Sequence, residues 1–449
     1  MGTFIVIWFG QLVSMIGTSM TRFALMIWAY QQTGEATTIA LLGFFAFLPN
    51  ILFSPIAGLW VDRLDKRLIM LVTDFVAGMM TLMLLMLYQE DSLLIWHIYV
   101  LEVVTGALDV FQLHAFTVAT TLLVEKKQYA RTAGMRSLAA NASRVIAPFM
   151  AGFLLAYIDI DGVMWLDVVT FMIAWITLLA VRIPGHVVQD VVNQTKRRFW
   201  EEMRWGYTYI REREGLFGIM WVMFGIHVFA SLTYMSILPA MILARTGENE
   251  FILANVQGAL GLGGVVGGIL VSIWGGPKKR IHALMGFTAA SFLLGDLLFA
   301  VGQNEPVWIM AGFLAAVFIP FITTAERVIW QNKVPPEIQG RIFSIRHFFT
   351  LLAVPFGFLL AGPLADWLFE PAMMPDGGLA PIFGNITGTG AGAGMGLMFL
   401  FTCIGGTVIS LVGYLSPAIR NVEADLPDHD LHTNLTISHY DTADAKIDS

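Results

Sequence analysis

Twelve stretches of mostly apolar residues, each long enough to cross a bilayer, follow one another between residues 4 and 415. They lie near 4–30, 37–61, 68–88, 93–122, 134–158 and 162–182, and then near 215–243, 250–274, 280–302, 306–330, 341–369 and 391–415. A hydrocarbon core of about 30 Å takes about 20 helical residues to cross. Within it the backbone must bond to itself, which makes helices the spanning form for runs of this length. The sequence therefore predicts an all-α membrane protein with twelve transmembrane helices. Composition removes the soluble alternative, because 57% of the 449 residues are apolar and only 13% are charged. The first run, from Phe4, has no basic leader and reads as a span rather than a cleaved signal. A single cysteine, Cys403, excludes an intrachain disulfide and a multi-cysteine metal site.

The cations assign the sides. Loops after even-numbered spans hold Arg63, Lys66, Arg67, Lys126, Lys127, Arg131, Lys278, Lys279, Arg280, Lys333 and Arg341, whereas loops after odd-numbered spans hold only Arg245. By the positive-inside rule both termini are expected in the cytoplasm. Residues 1–182 and 215–415 form two six-span bundles. Between them, 183–214 is a cytoplasmic linker in which Phe199, Met203, Gly206, Tyr207 and Ile210 share one helix face, suited to the inner membrane surface, with a solvated basic linker as the alternative. Residues 416–449 are polar and acidic and are expected to be a disordered tail, with His429, His432 and His439 as tail residues rather than a metal site.

The halves repeat. An offset of 210 carries Gly58 to Gly268, Arg131 to Arg341, Arg136 to Arg346, Ala151 to Ala361 and Gly152 to Gly362; an offset of 213 carries Thr33-Gly34-Glu35 to Thr246-Gly247-Glu248 and Lys66-Arg67 to Lys279-Arg280. Parallel six-span repeats about an axis along the membrane normal are an architecture of secondary transporters.

Between spans two and three stands GLWVDRLDKR, residues 58–67. It resembles the G-x-x-x-D-R-x-x-R/K-R/K signature of the major facilitator superfamily. The resemblance implies a cytoplasmic gate motif of Gly58, Asp62, Arg63, Lys66 and Arg67, latched against the other half where Gly340 and Arg341 open span eleven; Arg131 is grouped with the gate, and Arg136 and Arg346, near the cytoplasmic ends of spans five and eleven, read as gate or headgroup contacts rather than substrate ligands. Lys66 and Arg67 offer charge-pair partners there. Asp65 stands where the family often has glycine, and Ser272 and Ile273 stand where the second copy would have Asp and Arg, so the latch is expected to be one-sided. In span five, Pro148 and Gly152 resemble a worn copy of the G-P-x-x-G-G element of antiporters, or a plain packing kink. Span four has Glu102 and Gly106 where drug antiporters of this superfamily show R-x-x-x-G, which reverses the local charge. Residues 1–415 are similar to the macrolide-efflux and enterobactin-exporter branch, through IWFGQLVSMIGTSMTRFALMIWAYQQTG at the start and the segment from Trp330 to Pro371.

Five arginines fall within or near the spans, Arg22, Arg136, Arg144, Arg327 and Arg346, with the acids Asp74, Glu102, Asp109, Asp167, Asp296, Glu326 and Asp366 set against them. An ionised group at mid-bilayer costs about 2.5–3.5 kcal/mol, so each needs a partner, a headgroup or water. Glu102 and Asp109, two turns apart, share a face of span four; Glu102 lies nearer the outer side, where a pairing with Arg22 of span one is geometrically possible, and Asp109 nearer the inner side. Two readings stand: a carboxylate that loads and releases a proton, or a permanent structural pair. Arg144, deeper than Arg136, is the candidate for an anionic group in the cavity. Asp296 reads as a peripheral acid without a named partner.

No lysine follows a glycine, which excludes a G-K-S/T phosphate loop, and neither H-E-x-x-H nor G-x-S-x-G occurs. The expectation is therefore not an enzyme. It is a secondary transporter of the bacterial plasma membrane, a monomer among lipids that uses the proton gradient without a cofactor and binds no nucleic acid. Efflux of a bulky amphipathic compound, such as a siderophore, macrolide or peptide metabolite, stands against import of a small metabolite or a non-transporting scaffold.

Overall fold

A computed structural model describes residues 1–181 and 195–428, without the side chains of 55, 56, 58, 59, 62, 63, 195–200 and 202. Regular structure among these residues is helical throughout. The first half comprises α1 (Gly2–Thr33), α2 (Ala36–Arg63), α3 (Lys66–Gln89), α4 (Ile95–Leu123) and α5 (Tyr129–Ala180). The connecting helix α6 (Thr195–Arg211) leads to α7 (Glu214–Leu232), α8 (Leu238–Thr246), α9 (Glu250–Trp274), α10 (Arg280–Ser291), α11 (Leu297–Val301), α12 (Glu305–Val317), α13 (Ile319–Lys333) and α14 (Pro336–Pro363). Then follow α15 (Glu370–Met373), α16 (Ala380–Thr387), α17 (Ala393–Leu415), α18 (Pro417–Arg420) and α19 (Val422–Asp425).

Eleven helical segments among the described residues are long and apolar enough to cross a membrane. One of them contains α5, whose 52 residues would run about 78 Å if straight. It is not straight. Asp159, in the acidic Asp-Ile-Asp stretch, leaves helical geometry with φ 51°. Met135 near the start of α5 accepts a hydrogen bond from Trp8, and Thr177 near its end abuts Gly10, so both ends lie against the first turns of α1. The segment is a hairpin.

The repeat is visible in the backbone. Gly34 and Gly247 end α1 and α8 in the same left-handed conformation, φ 66° and 62°, which glycine adopts without steric cost. Arg136 lies over Phe116 at 5.4 Å, and its counterpart Arg346 pairs with Glu326 at 3.4 Å. Phe116 and Glu326 are themselves related by the offset of 210. The halves differ in their π turns, which interrupt the second half at Thr233–Ile237, Phe292–Asp296 and Leu364–Phe369.

Apolar packing is unequal at the two ends. At the end bearing Lys66, Lys126, Lys279 and Lys333, here the basic end, each half has its own core: Ile7, Met70, Ala119 and Leu178 in the first, Leu216, Leu284, Trp330 and Ile342 in the second. At the opposite end one core joins them, with Leu25, Ile39, Leu84 and Met164 packed in the same cluster as Leu238, Met241, Phe299 and Trp308. Small residues allow this closure. A Cβ on Gly362 of α14 would overlap the Cα of Thr37 on α2, and one on the repeat-related Gly152 of α5 would overlap the Cβ of Ala254 on α9. Phe358 fills the space beside Gly43, and Val145 the space beside Gly261. Asp366 adds a polar tie across the halves by accepting the first amides of α2, from Ala36 at 2.9 Å and Thr37 at 2.7 Å. Among the described residues, apolar packing thus joins the halves at one end and leaves them separate at the other.

Two expectations about the connections meet different outcomes. α6 packs on the second half: Ile210 is buried, Tyr207 stacks on Phe349, and Gly206 leaves room for Ile345. The tail does not begin at 416. Ile419 and Val422 of α18 and α19 are buried, and Lys333 donates to the carbonyls of Glu423 and Leu426 and pairs with Asp428 at 2.8 Å. Two apolar anchors hold a stretch whose composition reads as unfolded. The three tail histidines lie outside the described residues.

Candidate functional site: a polar cavity between the halves

Towards the basic end, two otherwise apolar helices expose rows of mostly polar residues. On α4, Asp109, Leu113, Thr117 and Thr121 recur every four residues and are exposed; their counterparts on α13 are Ile319, Thr323, Arg327 and Gln331, also exposed. Such stripes in a membrane bundle face water rather than lipid. The apolar groove of about 460 Å³ lined by Leu270, Ile273, Trp274 and Phe321 on the outside of the second half carries no comparable polar group.

At the closed end of the cavity Arg22 of α1 is held by three residues of α4. Its guanidinium lies 3.4 Å from Glu102, 3.0 Å from Asp109 and 2.9 Å from the Thr105 hydroxyl. The structure brings together three of the four residues named for coupling, and adds Thr105. The two carboxylates differ sharply. Asp109 is 57% exposed and hydrogen-bonded to Arg22, whereas Glu102 is 7% exposed. The Glu102 Oε2 and Arg22 Nε atoms are buried without a hydrogen-bond partner, so their contact is an ion pair lacking hydrogen-bond geometry. Arg144, the fourth, lies exposed on α5 and has no tie to this cluster among the described residues.

Other intramembrane acids hold helices together. Asp167 accepts from Thr18 at 3.1 Å and Thr81 at 3.2 Å, tying α1, α3 and α5. Asp74 accepts from Gln11 at 2.8 Å and Gln112 at 2.9 Å. Asp296 is not peripheral: it is fully buried and accepts from Tyr234 and, at 2.7 Å, from Thr402. Two π turns bring this about, since Tyr234 and Asp296 both sit on one, where an extra residue per turn re-aims the side chains. Periodicity on a regular helix could not place them. Asp296→Ala is expected to cost about 2–4 kcal/mol, because two hydroxyls lose a buried acceptor and a cavity opens. Thermal unfolding in detergent measures this, and an unchanged midpoint contradicts the role.

Three of the motif cations, Arg67, Arg136 and Arg346, have contacts within their own half. Arg67 donates to the carbonyls of Leu178 and Leu179 at 3.2 and 2.7 Å, capping the last turn of α5 instead of pairing with an acid. Asp65 caps α3 by accepting from the Leu68 amide at 3.0 Å, which explains an acid where a glycine was expected. Arg136 donates to Thr117 at 2.5 Å. Lys66 is buried, Arg131, Gly340 and Arg341 are exposed, and the side chains of Asp62 and Arg63, with Gly58, lie outside those described. Pro148 is buried within α5, one turn before Gly152.

Two helical bundles around a polar cavity open at one end define a solute transporter, not an enzyme. The chain belongs to the Major Facilitator Superfamily, whose family model matches residues 7–358. It is 27% identical over 369 residues to macrolide efflux protein A of Streptococcus pyogenes, covering 81% of this chain and 89% of that one. It is 22% identical over 384 residues to the multidrug efflux pump Tap of Mycolicibacterium fortuitum, covering 81% and 90%. Among solved structures, a bacterial homologue of the iron transporter ferroportin in an inward-facing state has a TM-score of 0.64 at 14% identity, covering 91% of this chain and 98% of that one. The nucleoside transporter NupG has a TM-score of 0.63 at 12% identity, covering 92% and 98%.

Proposed function

We propose that the chain is a proton-driven exporter of a bulky amphipathic compound, of the siderophore, macrolide or peptide-metabolite kind, in a bacterial plasma membrane. Counting the α5 hairpin as two crossings gives twelve spans, with the termini and the basic end in the cytoplasm, as the positive-inside rule requires. The cavity then opens to the cytoplasm, where an exporter loads. It works as a monomer with no cofactor beyond the gradient. One observation carries the reading: at the closed end of the cavity, one arginine is shared between a buried and an exposed carboxylate. Protonating either carboxylate changes which one holds Arg22, and α1 and α4 move with that choice. The names of the relatives support the direction, and alternating access by rocking of two halves supplies the motion.

The test is accumulation in inside-out vesicles of three amphipaths: a macrolide, a catecholate siderophore and a short lipopeptide. At least one is expected to accumulate when the lumen is acid and to leak back when a protonophore is added. Accumulation in right-side-out vesicles instead overturns export, and accumulation indifferent to the protonophore overturns proton coupling.

A further inference from the structure

Among the described side chains between the halves the cations outnumber the acids, and the excess has a location. Glu102 and Asp109 are both engaged by Arg22, and Glu326 by Arg346. That leaves Arg136, which has only the Thr117 hydroxyl and the Phe116 ring, and Arg144 and Arg327, which have no hydrogen-bond or ion-pair partner among the described residues.

Arg144 is the most deeply placed of these on α5, and the neighbours of that helix define its direction. Ser143 meets α1 through Ser19 at 2.9 Å, and Val145 meets α9 at Gly261. At about 100° per residue, Ile146, Phe149, Met150 and Phe153 fall on one side of the Val145 direction, and Ser137, Asn141 and Arg144 on the other. The first set is apolar and exposed, as a lipid face must be. The second set is polar and exposed, and so borders the cavity between α1 and α9. The Asn141 amide is spent on the Ser137 carbonyl at 2.8 Å, which leaves the guanidinium of Arg144 as the group on offer.

We propose that Arg144 binds an oxyanion of the transported compound, a carboxylate, sulfonate or phosphate, and that this chain therefore selects amphipaths carrying a negative charge. This rests on the transport reading. A planar guanidinium meets two oxygens of such a group at once, which an ammonium cannot do. Arg327 and Arg136 stand nearer the basic end, where a surplus of positive charge between low-dielectric walls draws anions inward.

Two xanthene dyes of similar size and opposite charge, fluorescein and rhodamine 123, test the proposal by equilibrium binding to the full chain in phosphatidylcholine nanodiscs. Fluorescein is expected to bind saturably and more tightly than rhodamine 123. Arg144→Gln weakens it by at least about tenfold, the worth of one charge-assisted pair, and Arg144→Lys recovers part of the loss. Rhodamine binding does not weaken in either variant. Thermal unfolding of Arg144→Gln within a degree or two of the parent shows that the fold is retained. Tighter binding of rhodamine, no saturable binding of fluorescein, or equal affinity in Arg144→Gln each overturns the anion site. Repeating the titration with phosphatidylglycerol discs separates the sources: loss of fluorescein binding there assigns Arg144 to lipid phosphate and overturns the substrate role. Dye flux in proteoliposomes is read on the same preparations. Binding without flux counts against transport and leaves the anion site standing, whereas flux without charge preference does the reverse.

Discussion

In Glu102→Gln, accumulation against a gradient is expected to fall to the equilibrium ratio while downhill counterflow continues. The carboxylate of Glu102 is buried, and its Oε2 has only an ion-pair contact at 3.4 Å, outside hydrogen-bond geometry. A charge held so loosely in an apolar bundle is costly, which makes Glu102 the carboxylate to test as the proton carrier. With Glu102 neutral, Arg22 still has Asp109 at 3.0 Å and the Thr105 hydroxyl. The arginine is never stranded, and this makes the exchange affordable within a single helix pair. One proton carried per cycle converts a gradient of one pH unit into about 1.4 kcal/mol, or about tenfold accumulation. Glutamine keeps the shape and cannot carry the proton, so that factor disappears while binding and counterflow stay. Asp109→Asn leaves Glu102 as the sole acid on Arg22 and is expected to alter KM more than coupling, because Asp109 faces the cavity. Undiminished accumulation in Glu102→Gln removes this residue from the coupling step.

Gly362→Leu is expected to prise open the end that is closed. A side chain there runs into the backbone of Thr37, which has no flexible end to yield. Overpacking of this kind costs about 1–3 kcal/mol and falls only on the closed form, which shifts the equilibrium by about 5- to 150-fold. The readout is alkylation of Ala40→Cys by a membrane-impermeant maleimide. Ala40 is 1% exposed, packed in the core that joins the halves. Faster labelling in Gly362→Leu is the expected result, with Gly152→Leu acting in the same direction through Ala254 on α9. Since Gly286 on α10 is exposed and meets nothing within 4 Å, Gly286→Leu serves as the control that leaves labelling unchanged. Equal labelling in all three variants sinks the gate.

The pair of Arg22 with Glu102 was legible because helix geometry put Glu102 and Asp109 on one face of α4 and opposite running directions put Arg22 beside Glu102; the contact of Arg22 with Asp109 came from the structure. Thr105 was not singled out, although it lies on the same face between the two acids. Asp296 was misread for a different reason. Its partners Tyr234 and Thr402 come from distant segments, and the π turns that aim Tyr234 and Asp296 leave no mark in hydrophobic periodicity. Arg67 shows a third kind of gap: a cation in a charged motif suggests an acidic partner, yet the open carbonyls at the end of α5 satisfy it as well.

Long apolar runs, a skewed distribution of cations and a repeated register are properties of the chain taken locally, and they alone determined membrane residence, the two-bundle plan and the short list of charged residues. Which acids are structural and which face the cavity, and at which end the halves meet, depended on contacts between segments far apart in sequence. Only the tertiary structure decided these, because the energy of a buried charge is set by what stands opposite it, and a sequence does not state its neighbours.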